Sequence, residues 1–134
     1  MFFVATAPAE GVINLSPKGA NTFRCFDDQT VAYLDLGGSG NETATHLAED
    51  GRMTIMFCSF ADEPLILRLY GRGRVVRQQD EAWPELAAFF APLSTAGSRQ
   101  IILLEIDTVW TACGHGVPVY EFKREREGGV ARDE

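Results

Sequence analysis

Strand-length apolar segments recur along almost the whole chain, and only two short stretches carry helical spacing. Phe2 to Ala7, Val12 to Ser16, Thr30 to Leu36, Arg52 to Phe60, Leu65 to Arg77 and Gln100 to Thr111 each read as a strand. Pro17-Lys18-Gly19 is expected to end the second of these. In the long fifth strand, Gly71 and Gly73 are the expected site of a bulge or bend. Between the strands, Asn41 to Asp50 places Ala44, Leu47 and Ala48 on one helical face, and Gly51 stops it. Trp83, Leu86, Ala87 and Phe90 are also helically spaced, and Pro92 closes that helix. The order ββ-β-α-β-β-α-β is mainly β, an α+β chain without the regular alternation of a doubly wound sheet. Strands long enough to bend and close, with two short helices, predict a small barrel with helical covers.

A length of 134 residues fits one domain with a real core. We place that domain at residues 1–122 and read 123–134 as a charged, flexible tail. The net charge of −7 argues against nucleic acid and anionic membranes as partners, because both select clustered Lys and Arg. No apolar run is long enough for a membrane-spanning helix, and the N-terminus lacks the basic start of a signal peptide. Cys25, Cys58 and Cys113 form no metal-binding spacing, and their odd number suits a reducing cytoplasm better than a disulfide scaffold. Cys58 reads as a small buried hydrophobe. His46 reads as an exposed helix residue, and neither it nor His115 has a motif that would pair it with a nucleophile.

Candidate binding chemistry lies at three places. Gly37-Gly38-Ser39-Gly40-Asn41-Glu42-Thr43 links a strand to a helix, so it can present unpaired N–H groups to an anion. Ser39 and Glu42 also form a capping-box pattern, with Asn41 as a rival cap, which explains those residues without a ligand. In the second strand, Asn14, Ser16 and Lys18 share one face while Ile13 and Leu15 share the other. In the fifth, Arg68, Tyr70, Arg72 and Arg74 share a face opposite Leu65, Leu67 and Leu69, and forked Arg hydrogen bonds suit phosphate. A solvated sheet face is the plain alternative. Trp110 either packs in the core, the preferred reading, or stacks on a flat ligand.

The ordered set of Asn14–Gly19, Thr30–Asp35, Gly40-Asn41-Glu42-Thr43, Arg52–Phe57, Leu67-Arg68-Leu69-Tyr70-Gly71-Arg72 and Val109–Pro118 resembles the pyridoxamine 5′-phosphate oxidase-related family. The resemblance runs from about Phe2 to Phe122. It implies a split β-barrel homodimer holding FMN in clefts at the dimer interface, and an oxidoreductase whose small-molecule substrate or electron donor is unspecified. It implies that Asn14, Ser16 and Lys18 line the flavin. Leu34 and Asp35 would meet the ring edge or ribityl chain through their backbone. Asn41, Glu42 and Thr43 would occupy the phosphate turn, Arg68 would reach toward the partner's flavin, and Trp110 would lie near the dimer cleft. Family oxidases commonly carry Arg and Lys in that turn, where this chain has Asn41, Glu42 and Thr43. The family's flavin-facing Gln aligns near Ile66, and the C-terminal Trp and Arg of the pyridoxamine enzyme have no match, which argues against that enzyme's reaction. The alternative is a non-catalytic dimeric module that keeps the barrel and takes haem, another flavin-like cofactor or nothing.

Overall fold

The computed structural model describes residues 1–19 and 21–126; the last part of the expected tail, 127–134, lies outside the described residues. Seven strands form one antiparallel sheet in the order β2-β1-β5-β6-β7-β4-β3. They are β1 (Phe2–Thr6), β2 (Asn14–Lys18), β3 (Phe23–Cys25), β4 (Thr30–Asp35), β5 (Arg52–Cys58), β6 (Ile66–Arg77) and β7 (Gln100–Ala112). Helix α1 (Glu42–Glu49) links β4 to β5, and α2 (Trp83–Ala88) links β6 to β7. The sheet curls until its two ends meet. Phe2 on β1 touches Phe23 on β3 and Tyr33 on β4, with ring centroids 5.3 and 5.6 Å apart, and Phe57 on β5 closes the cluster against Phe23 at 4.9 Å. This is the expected split β-barrel with short helices.

Alternation along the strands builds two apolar clusters, one on each face of the sheet. Val31, Tyr33, Ile102, Leu104 and Leu69 point into the curl with Phe2, Val4, Ile55 and Leu47 of α1. Ala32, Leu34, Ile101, Leu103 and Val76 point outward, where Phe90, Trp83 and Leu86 of the α2 region cover them. Near-continuous burial of β4 from Val31 to Asp35 follows from this double coverage.

Four expectations are corrected. Strand β2 runs through Pro17 to Lys18 instead of ending at Ser16, because it is an edge strand and a residue without N–H costs no ladder bond on the unpaired side. Strand β3 was not expected; it is three residues long, held by Phe23 in the aromatic cluster and by Arg24, whose guanidinium donates to the carbonyls of Phe89 and Phe90. His46 is buried, at 8 % exposure, and its Nδ1 lies 3.1 Å from Thr6 Oγ1, because α1 lies across the inner face beside β1. Cys58 is half-buried, not buried.

The irregularity expected at Gly71 is present, with the extra residue on the opposite strand. Tyr70 pairs with Thr108 and Gly71 with Ile106, so Asp107 of β7 is left over. Gly71 is required there by space: an added Cβ would overlap the Glu105 carbonyl oxygen and lie 3.1 Å from the Asp107 nitrogen. Because the extra residue is not on β6, Arg68, Tyr70, Arg72 and Arg74 keep their alternation. Beyond Glu105, β7 runs past its last β4 partner and pairs with β6 alone. From Asp107 to Ala112 every β7 residue is exposed.

Candidate functional site

Edge strand β2 presents its polar side inward and its apolar side outward. Asn14, Ser16 and Lys18 are half-buried, while Leu15 between them is 66 % exposed. The polar face looks across the seam of the curled sheet onto the end of β4 and the glycine turn. Together these segments enclose a cleft of about 310 Å³, lined by Asn14, Ser16, Lys18, Tyr33, Asp35 and the run from Gly37 to Thr43. That size lies within the range of small-molecule sites.

The turn takes its shape from backbone conformations that favour glycine, φ +90° at Gly37 and +137° at Gly38. Two residues at the head of β7 hold it from behind. Gln100, buried, donates through Nε2 to Asp35 Oδ2 at 2.9 Å and to Asn41 Oδ1 at 2.7 Å. The other Asp35 carboxylate oxygen accepts from the Gly37 N–H at 3.2 Å. Arg99 donates through its guanidinium to the carbonyls of Gly38 and Gly40, each at 2.6 Å. Across the cleft, Asn14 Nδ2 donates to Thr43 Oγ1 at 3.2 Å, tying β2 to the start of α1.

These bonds settle the capping question against the capping box. Asn41 is the N-cap residue, yet its side chain makes no cap bond because its amide oxygen is taken by Gln100. Ser39 lies two residues too early. The first-turn N–H groups of α1 therefore receive no side-chain cap. The Glu42 carboxylate folds back over Gly40: a Cβ on Gly40 would lie 2.8 Å from its carboxyl carbon.

Lys18 is the cation among the lining residues, its ammonium 5.6 Å from the centre of the Tyr33 ring. Burial, reinforced by the Asp35 carboxylate, raises the Tyr33 phenol above its ordinary range, so it stays a neutral hydroxyl. The cleft thus offers one ammonium, a ring of hydroxyl and amide groups, and backbone N–H groups, against the carboxylates of Asp35 and Glu42. Such a donor set fits the phosphate and polyol portion of a nucleotide-like ligand. Asp35 and Glu42 are its discordant groups, and the Asp35 carboxylate already accepts from Gln100 and the Gly37 N–H.

Of the residues singled out from the sequence, Asn14, Ser16, Lys18, Asp35, Asn41, Glu42 and Thr43 are brought together here. Leu34 is not among the lining residues: its side chain is buried in the outer cluster, and its N–H donates to Thr22 O at 3.1 Å. Arg68 and Trp110 face each other as cross-strand partners on the β6–β7 ribbon, away from the cleft lining of the same chain. Trp110 is 63 % exposed, which corrects the core-packing preference; its ring meets Tyr70 edge-on at 5.7 Å. Arg72 leaves the expected arginine row for the end of α1, donating to the Asp50 carbonyl at 2.7 Å. Tyr33, Arg99 and Gln100 were not singled out. Polar Gln100 opening the apolar run Ile101–Leu104 is the available signal.

A curled antiparallel sheet split along one seam, with a polar cleft beneath a glycine turn, defines a split β-barrel. The chain belongs to the pyridoxamine 5′-phosphate oxidase family, whose N-terminal domain model matches residues 1–113. It is 41 % identical over 130 residues to the pyridoxamine 5′-phosphate oxidase family protein ustO of Aspergillus flavus, covering 95 % of this chain and 52 % of ustO. The chain therefore spans about half the length of that relative. Among solved structures, HupZ of Group A Streptococcus superposes with a TM-score of 0.62 at 20 % identity, covering 82 % of each chain. A pyridoxamine 5′-phosphate oxidase-related, FMN-binding protein of Nostoc punctiforme superposes with a TM-score of 0.60 at 13 % identity, covering 87 % of this chain and 75 % of that one. At these identities the structural matches establish the fold. No helix among the described residues is long and apolar enough to cross a membrane.

Proposed function

We propose that this protein binds FMN in the β2–turn cleft and acts as a cytoplasmic homodimeric flavin-dependent oxidoreductase. The observation that carries the reading is the convergence of Asn14, Ser16, Lys18, Asn41 and Thr43 on one cleft from segments far apart in sequence. Lys18, Thr43 and the N–H groups of the turn hold the phosphate. Asn14, Ser16 and the backbone near Asp35 meet the polyol chain. The flavin supplies the redox chemistry when bound, and the protein supplies binding, orientation and electrostatics. Membership of the family and the FMN-binding neighbour support the choice of flavin.

The second copy is argued from the ribbon of β6 and β7. Beyond Glu105, β7 is an open sheet edge paired with β6 alone, and Val109 and Trp110 expose large apolar surface on it. A partner covering this ribbon would bring Arg68 and Trp110 to the partner's cleft, the positions the family resemblance assigns them. Glu42 favours a second reading, a dimeric module with another cofactor or none, because a carboxylate beside a phosphate is repulsive. The visible spectrum of the purified protein separates the two. Flavin bands, present on purification or retained after FMN addition and removal of free flavin, support the first; a haem Soret band, or no retained flavin, supports the second.

A further inference from the structure

The glycine turn lacks the cations that an anion site ordinarily presents from the front. A cation sits behind it. Arg99, half-buried at the head of β7, spans two alternate carbonyls of the turn, Gly38 and Gly40, at 2.6 Å each. Its own N–H donates to the Asp35 carbonyl at 2.8 Å, so the residue is fixed at its backbone as well as at its tip. In a trans peptide the carbonyl and the following N–H point in opposite directions. Aiming the Gly38 and Gly40 carbonyls at Arg99 therefore aims the N–H groups of Ser39 and Asn41 the other way. Ser39, Gly40 and Asn41 all line the cleft. Gln100 beside it takes up the Asn41 side chain, which keeps that side chain from capping the N–H groups of Thr43 and Ala44.

We infer that Arg99 is the positioning residue of the phosphate subsite: it orients the turn's N–H groups into an anion nest and supplies from behind the positive charge that the turn itself lacks. The inference rests on the flavin reading above and deepens it. Arg99 does not touch the ligand. It acts through the Gly38 and Gly40 carbonyls, polarising two peptide units whose N–H ends face the phosphate. Its guanidinium also offsets the Glu42 carboxylate at the same turn. Because only the phosphate end of the ligand meets this turn, the effect of Arg99 is confined to ligands that carry a phosphate.

FMN and riboflavin, which differ by that phosphate, test this in equilibrium titrations of the full chain followed by flavin fluorescence. Wild type is expected to bind FMN at least tenfold more tightly than riboflavin. Arg99→Ala is expected to lose about ten- to a hundredfold in FMN affinity, the scale of a lost charge-assisted contact, with riboflavin affinity unchanged within twofold. Arg99→Lys keeps the charge but reaches one carbonyl only, and is expected to fall between; it serves as the readout if the alanine variant folds poorly. Equal losses for both flavins, or no loss for FMN, overturn the inference. Wild type that binds riboflavin as tightly as FMN overturns it while leaving the flavin reading intact, and wild type that binds neither overturns both.

Discussion

Replacing Gly71 with alanine tests the central distortion of the sheet. The added methyl group would overlap the Glu105 carbonyl oxygen, 2.9 Å from its carbon and 3.1 Å from the Asp107 nitrogen. Every obstructing atom is backbone, so relief requires β6 and β7 to part where the sheet is bulged. Overpacking costs about 1–3 kcal/mol where side chains can yield, and a backbone obstruction belongs at the top of that range or above. Unfolding entropy of roughly 2.1 cal/mol/K per residue gives about 0.28 kcal/mol/K for this chain, so 3 kcal/mol corresponds to roughly 11 °C in Tm. Gly73→Ala is the control. Its methyl group would meet the ends of Leu47 and Met53, both 2.7 Å away, which are flexible side chains. Their adjustment, partly offset by the lower entropy of an unfolded alanine, leaves a loss of about 1 kcal/mol or roughly 4 °C. Thermal melts followed by circular dichroism at one fixed protein concentration compare the two. A Gly71→Ala protein melting within about 3 °C of wild type, or a larger loss for Gly73→Ala, would refute the reasoning.

Two charge variants in the cleft should move FMN affinity in opposite directions. Lys18→Ala is expected to weaken it roughly ten- to a hundredfold by removing a charge-assisted contact, and Glu42→Gln to strengthen it about five- to thirtyfold by removing about 1–2 kcal/mol of repulsion; equal signs would mean that the turn is not where the phosphate sits. Asp50 is held below its ordinary carboxylate range, chiefly by the hydrogen bond from Arg52. A depressed carboxylate adds stability above its unfolded pKa and loses it as pH falls through the folded value, so Asp50→Asn should flatten the acid limb of Tm against pH below about 4 and leave the neutral region little changed. An acid limb identical to that of wild type would remove Asp50 from the account.

Much of the sheet was legible because its strands carry their own signal. Val31–Leu34 and Ile101–Leu104 are apolar on both faces, and the structure buries them between the inner cluster and the α2 region. Asn14, Ser16 and Lys18 announced a polar inward face through simple alternation. Strand β3 was not legible, because Phe-Arg-Cys is too short to show a period and its support is tertiary, from Phe2, Phe57 and the carbonyls after α2. His46 hid for a similar reason: its burial depends on where α1 crosses β1, which no local pattern encodes. The pinning of the turn was the least legible feature. Arg99 and Gln100 lie some 60 residues from the carbonyls and side chains they hold, as adjacent polar residues at a strand start. Only the pairing of β4 with β7 brings them beneath the turn.

Calorimetric titration of the purified full chain with FMN, with sedimentation on the same sample, tests the proposed function most directly. The account expects saturable binding at micromolar or tighter affinity, one FMN for each chain, in a particle of two chains. No saturable heat at millimolar FMN, or stoichiometric binding to a protein that sediments only as a monomer, would contradict it.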